Sequence, residues 1–185
     1  MHYSNLIIGG GPAGLNLGLE LYKRGLNFFI LEGREAVGGQ WDKIPVCGQL
    51  ISLNKKYVPG NSHSYRMRYD WHTLSSISEE DVENDPRLLF TNWTSDHWPS
   101  AKLYKKYLQY VARATGLLPC IRQNARVTRV SKKDGVFVVE INKSEICTAD
   151  RVFCGTGKTD SVMPDIKGLN ANTCKMYEDF DPATA

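Results

Sequence analysis

Asn5-Leu-Ile-Ile-Gly9-Gly-Gly11-Pro-Ala-Gly14 is the stretch that decides the fold. Residues 4–9 are a short apolar run that predicts a buried strand, and the glycines follow at once. Gly9, Gly11 and Gly14 fit the pattern G-x-G-x-x-G. In that pattern the first glycine permits a tight turn, the second lets backbone approach a pyrophosphate, and the third lets helix and strand pack closely. Leu15, Leu19 and Tyr22 then recur at four- and three-residue steps and predict a helix that stops at Gly25. Asn27-Phe-Phe-Ile-Leu31 reads as a second strand. Strand, glycine turn, helix and strand within about 30 residues make a βαβ unit, so the two strands are expected to be parallel.

Glu32 ends the second strand 18 positions after Gly14 (32 − 14). A carboxylate there accepts hydrogen bonds from a ribose diol and repels a 2′-phosphate, which excludes NADP from this first site. FAD and NAD both fit. Three later features favour FAD. Gly38-Gly39-Gln40-Trp41 follows the second strand within ten residues, a β-meander comes late, and the chain then returns through Val152-Phe-Cys-Gly-Thr-Gly157. Each is an ordinary turn or hairpin taken singly; their order along one chain is what carries weight.

Between these landmarks the pattern is uneven. Residues 33–60 carry Gly33, Gly38, Gly39, Pro45, Gly48, Pro59 and Gly60, which is loop chemistry. Residues 61–99 are aromatic and polar without clear periodicity, with Tyr65, Tyr69, Trp71, Trp93 and Trp98 and an acidic run over 79–83; an irregular segment is expected there. Pro99-Ser100 caps a second helix whose apolar face is read as Leu103, Tyr107, Tyr110, Val111 and Ala114, ending at Gly116. Arg126–Val130 and Val136–Ile141 alternate around Lys133-Asp-Gly135, a strong hairpin signal. A short strand near Ile146 and another over Arg151–Cys154 complete the expected elements.

The remaining composition mainly excludes. The chain has 185 residues, 42% of them hydrophobic and 23% charged, which suits one domain with a core. A net charge of +3 is too weak to argue for nucleic acid or an anionic membrane. No run approaches the apolar length of a membrane span, and no signal peptide or retention motif is evident. Cys47, Cys120, Cys147, Cys154 and Cys174 form no C-x-x-C or C-x-x-x-x-C, so neither a local redox dithiol nor a cysteine-rich zinc site is expected. His2, His63, His72 and His97 show no ligand spacing, and no metal is expected. Free thiols point to a reducing compartment, hence the cytoplasm. The endoplasmic-reticulum lumen is the alternative if the start is trimmed.

The Gly9–Gly14 turn, Glu32, Gly38-Gly39-Gln-Trp41 and the Gly155-Thr-Gly157 return resemble the FAD half of flavin-containing monooxygenases and their relatives. Leu50-Ile-Ser-Leu-Asn-Lys-Lys-Tyr57, Arg68-Tyr-Asp-Trp-His-Thr-Leu74 and Asp85-Pro-Arg-Leu-Leu-Phe90 are similar to the group of FAD-dependent oxidoreductase domain-containing protein 2, the endoplasmic-reticulum flavoproteins associated with degradation. The resemblance implies an α/β fold: a Rossmann-like FAD-binding domain over residues 1–185, with a parallel sheet and a β-meander, lacking the inserted NADPH domain. No second G-x-G-x-x-[GAS] turn follows Gly157. NADPH is therefore expected only with a completing domain, supplied by another chain or a second copy. The resemblance further implies that Gly9, Gly11, Pro12, Ala13 and Gly14 hold the pyrophosphate and Glu32 the adenosine ribose. Gly39, Gln40 and Trp41 line the middle of FAD, Val127 approaches adenine, and Thr156 with Gly157 closes over the cofactor.

Asn54 matches an asparagine beside the flavin ring, where an amide can donate to an oxygen on the ring or to an adjacent carbonyl. An asparagine in a turn is the plainer reading. Lys55-Lys56 and Arg66-x-Arg68 could meet a phosphate or an anionic substrate, although such charges more often form a solvated face. Asp70 and His72 could act as an acid/base pair, against a structural Asp and a satisfied His. Cys47 lacks the dithiol partner that disulfide reductases require. Tyr104, Tyr107 and Tyr110 read as core and helix surface. The leading expectation is an FAD-binding, monooxygenase-like oxidoreductase domain with an unidentified small-molecule substrate. A non-catalytic FAD-binding partner module, or half of a split flavoprotein, is the alternative. A simple NAD-dependent dehydrogenase is disfavoured, because no Tyr-x-x-x-Lys pair follows the central strands.

Overall fold

The computed structural model describes residues 1–43, 48–56, 62, 68–157 and 164–169. Its centre is a six-stranded sheet made of β1 (His2–Ile8), β2 (Phe29–Leu31), β3 (Ile121–Arg122), β4 (Val127–Lys133), β5 (Val136–Ile141) and β6 (Glu145–Cys154), in the order β3-β2-β1-β6-β5-β4. β1 is parallel to both β2 and β6, β2 is parallel to β3, and the β4-β5-β6 meander is antiparallel. The βαβ reading is thus observed, with α1 (Pro12–Lys23) as the crossover.

β1 is buried on both sides, as a central parallel strand must be. Leu6 packs with Leu31, Val139, Ile141 and Ala149 on one face. Ile7 packs with Leu15, Leu19, Ile30 and the second long helix, α3 (Ala101–Ala114), on the other. The hairpin forms as its turn residues demand. Asp134 and Gly135 both have positive φ, 51° and 84°, which matches a two-residue turn with the twist of the flanking strands.

Several expectations need correction. Ile146 and Arg151–Cys154 belong to one ten-residue strand, β6, because its first half pairs with β5 while its second half pairs with β1. β3 was not expected. Its two residues carry no pattern of their own and are held by pairing with β2. The acidic run lies in a short helix, α2 (Glu79–Asn84), inside the segment read as irregular. Ser78 and Asp81 close a reciprocal capping box there, each side chain accepting from the other's backbone N–H. On α1, Tyr22 is exposed, and Gly14 and Gly18 join Leu15 and Leu19 on the buried face.

The face of α3 is also rotated from the expected one. Ala114 is exposed and Leu103 and Tyr110 are half-buried, whereas Tyr104, Tyr107, Leu108, Val111 and Ala112 are buried. Tyrosine was the misleading signal, since its ring can be core while its hydroxyl is satisfied. The Tyr107 hydroxyl donates to the Leu88 carbonyl at 2.9 Å and accepts from the Leu74 N–H at 3.2 Å. Tyr104 donates to the His72 carbonyl at 3.0 Å. These bonds moor the 70–92 segment to α3. Among the described residues no helix is long and apolar enough to cross a membrane.

Tyr107→Phe keeps the ring and strands two buried backbone groups, so it should cost about 1–3 kcal/mol in urea unfolding. An unchanged midpoint would show that the hydroxyl does not anchor the segment.

Candidate functional site

Where β1 ends and α1 begins, three glycines meet. A Cβ on Gly14 would lie 1.9 Å from the Gly9 carbonyl oxygen, and one on Gly9 would lie 2.3 Å from that of Gly155. Gly155, just past β6, donates its N–H to the Ile8 carbonyl at 2.8 Å. Gly11 differs, since nothing lies within 4 Å of the position a Cβ would take. Gly11 is also the N-cap of α1, and no side chain caps that end, so first-turn N–H groups are left for a ligand.

A cleft of about 240 Å³ opens at this junction. Gly9, Gly11, Glu32, Gly39, Gln40, Val127 and Thr156, all singled out in the sequence, line it. Glu32 is buried. Its Oε2 accepts from the Gly10 N–H at 2.6 Å and its Oε1 from the Arg34 N–H at 2.8 Å. A carboxylate has about four lone-pair sites, so two remain for hydroxyl donors. The backbone fastens the same residue to β3 and the connection after it: Glu32 donates to the Arg122 carbonyl at 2.9 Å and accepts from the Ala125 N–H at 2.8 Å. On the opposite side Gly38 donates to the Gly10 carbonyl at 3.1 Å, which folds the Gly39–Lys43 3-10 turn back onto the glycine junction.

The other expected residues fall nearby or elsewhere. Pro12, Ala13 and Gly14 form the first turn of α1, behind the cleft wall. Gly157 sits against Gln40, whose Oε1 would be 2.4 Å from a Cβ there. Trp41 is not among the residues that line the cleft, and its ring meets Tyr104 edge-on at 4.9 Å between centroids. Asn54 is buried; its N–H donates to the His97 carbonyl at 2.8 Å and its Nδ2 to the Thr94 carbonyl at 2.9 Å. The free polar atom of that side chain is the acceptor Oδ1, not the donor expected of it.

Asp70 is structural in one respect: its Oδ1 accepts from the N–H groups of His72 and Thr73, both at 3.0 Å. It makes no hydrogen bond to the His72 ring, so the two are not joined as an acid/base pair. His72 is buried between Phe90 and Tyr104, and its Nε2 has no partner, so it is not the satisfied histidine expected. Burial pulls its pKa below the ordinary 6.5; Asp70 opposes that and Lys55 adds to it. Lys55 lies 4.6 Å over the Trp71 ring, while Lys56 and Arg68 are exposed. Arg66 and Cys47 lie outside the described residues. Sequence reasoning missed Arg34 and Arg126, which also line the cleft and lie in the connections after β2 and before β4. Gly155, quoted with the Gly155-Thr-Gly157 return, lines the cleft as well.

A family model described as pyridine nucleotide-disulphide oxidoreductase matches residues 6–185. FAD-dependent oxidoreductase domain-containing protein 2 of Mus musculus is 27% identical over 174 residues, 90% of this chain and 25% of that protein. The flavin-containing monooxygenase FMO GS-OX-like 9 of Arabidopsis thaliana is 33% identical over 131 residues, 69% of this chain and 28% of that protein. The chain thus spans about a quarter of the length of these relatives. The solved structure of OTEMO in complex with FAD and NADP superposes with a TM-score of 0.65 at 23% identity, covering 90% of this chain and 28% of that one.

Gly14→Ala should destabilise by about 3 kcal/mol or more, because the methyl meets backbone that cannot yield. Gly11→Ala should unfold within about 0.5 kcal/mol of wild type, as its φ of −85° suits alanine and the space is open. Equal stability of the two variants would refute the packing account. A neutral buried His72 also sets a pH slope: the unfolded chain protonates first, so stability falls with acidification below the ordinary 6.5 and is level above it. His72→Phe should flatten that slope on acidification below 6.5 in thermal unfolding; a slope unchanged in the variant would exclude His72 as its source.

Proposed function

The chain belongs to the pyridine nucleotide-disulphide oxidoreductase family, and from that premise we propose that the cleft holds FAD and that the chain is the FAD-binding part of a monooxygenase-like oxidoreductase. The observation that carries the reading is the three-sided wall of the cleft. The β1–α1 turn, the Gly38–Gln40 turn and the end of β6 converge on one groove with Glu32 at its side. A single glycine turn would suit any dinucleotide; the second glycine turn is what favours FAD over NAD. The relatives' names point the same way, one to an FAD-dependent oxidoreductase and one to a flavin-containing monooxygenase.

In this reading the chain's own residues bind and orient. The first-turn N–H groups of α1 and the open face at Gly11 receive the pyrophosphate, helped by the positive end of the helix. Arg34 and Arg126 bring cationic side chains to the same cleft. Glu32 accepts from the adenosine ribose and turns away a 2′-phosphate. Ala125 and Val127 supply the apolar wall for adenine, and Thr156 and Gly157 close the groove opposite Gln40. When bound, FAD supplies the redox chemistry. An NADPH site would have to come from a second dinucleotide-binding unit, on the same protein or a partner. The described cysteines, Cys120, Cys147 and Cys154, are free, which supports a reducing compartment such as the cytoplasm.

Adding FAD to the full chain and removing the excess should leave about one flavin per chain, with its fluorescence changed, and NAD should not displace it. Gly11→Ala should weaken FAD at least about tenfold, a loss of roughly 1.4 kcal/mol. A chain that retains no flavin, or that binds NAD in its place, would overturn the reading.

A further inference from the structure

Residues 38–43 face two ways. Gly38, Gly39 and Gln40 line the cleft, whereas Trp41 and Asp42 are not among its lining residues. Those two reach α3 instead. The Trp41 ring meets Tyr104, and the Asp42 carboxylate forms an ion pair with the Lys105 ammonium. Leu108 lies against the start of the same stretch, since a Cβ on Gly38 would stand 3.0 Å from its Cδ1. It is one helical turn beyond Tyr104 and Lys105, so the three bear on residues 38–43 from one side of the helix.

This wall of the cleft is thus held from behind. Its own glycines are poorly suited to hold it, because glycine has more backbone freedom to lose than any other residue. Trp41, Tyr104 and Leu108 belong to the hydrophobic core, where truncation disturbs folding itself. The ion pair stands apart from that core: the Asp42 side chain is 47% exposed and that of Lys105 17%. A pair so placed adds little to global stability. Its effect on a ligand is a separate matter. A ligand that needs the wall in place has its affinity scaled by the fraction of time the wall is there. A wall fixed beforehand spares the ligand that ordering cost.

We propose that Lys105 is a positioning residue for the cofactor: through Asp42 it fixes the Gly38–Gln40 wall in its binding shape before FAD arrives. The inference rests on FAD being the ligand of the cleft. Lys105 acts as half of a pair and not as a cation near an anion, and the two roles differ in sign. FAD carries an anionic pyrophosphate. Acting through space alone, loss of the Asp42 charge would strengthen FAD binding and loss of the Lys105 charge would weaken it. Loss of the pair weakens it either way.

The test compares the full chain with Asp42→Asn, Lys105→Met and the reversed pair, Asp42→Lys with Lys105→Asp. Two quantities are read: FAD affinity by titration of flavin fluorescence, and hydrogen–deuterium exchange over residues 38–43 without ligand. Asp42→Asn and Lys105→Met should each weaken FAD about three- to fivefold, the factor that one part-exposed ion pair can supply. Both should speed exchange over 38–43, with urea midpoints close to wild type. The reversed pair should bring affinity back to within about twofold of wild type and slow the exchange again. Tighter FAD binding by Asp42→Asn beside weaker binding by Lys105→Met would overturn the inference in favour of direct charge. Wild-type affinity in both single variants would overturn it too, whatever the exchange rates, and so would a loss that the reversed pair does not recover. A wild type that binds no FAD would instead bring down the FAD reading, and this inference with it.

Discussion

The back-to-back approach of Gly9, Gly14 and Gly155 is the constraint on which the rest depends. A carbonyl oxygen occupies the space of the missing Cβ at Gly14, and another occupies it at Gly9. The first strand, the crossover helix and the last strand can meet at one point only because none of the three residues has a side chain there. That meeting sets the register of β1 against β6, where Ile8 pairs with Cys154 immediately before Gly155. It also leaves the start of α1 uncapped, with open space at Gly11. The same absence of side chains that closes the sheet therefore creates the ligand-facing surface.

Glu32 shows how one residue serves both purposes. Its carboxylate braces the glycine turn through Gly10 and the following loop through Arg34, and its backbone is stitched to Arg122 and Ala125. Arg122 in turn makes a two-pronged ion pair with Glu145 at the start of β6, at 2.7 and 2.6 Å. The pair is half exposed and worth little energetically. It ties β3, at the edge of the parallel strands, to the start of β6.

Legibility from sequence followed the range of the interactions. The βαβ unit, the Asp134-Gly135 hairpin and the Ser100 cap are local, and each announced itself in consecutive residues. β3 is two residues long and exists through its long-range pairing, so nothing in Ile121-Arg122 could signal it. The capping box at Ser78 and Asp81 was legible from spacing, but a helix of six exposed or half-buried residues has no apolar face to confirm it. In the site, the glycines and Glu32 were visible because their chemistry is fixed by residue type. Asn54 and His72 were singled out too, but the state of their polar atoms was not legible, because which atom stays unpaired depends on partners some 40 residues away in the chain, such as Thr94 for Asn54. The tyrosines of α3 misled for a related reason. Periodicity ranked them as apolar, whereas their hydroxyls decide which of them turn inward.

The central claim is that the glycine junction itself receives the ligand's pyrophosphate. Hydrogen–deuterium exchange on the full chain with and without FAD tests it most directly. The account predicts that added FAD slows exchange chiefly in peptides covering Gly9–Leu15 and Gly155–Thr156, with the 38–41 turn next. Bound FAD that leaves those peptides unchanged and protects only the β4–β5 hairpin or the outer face of α3 would contradict it.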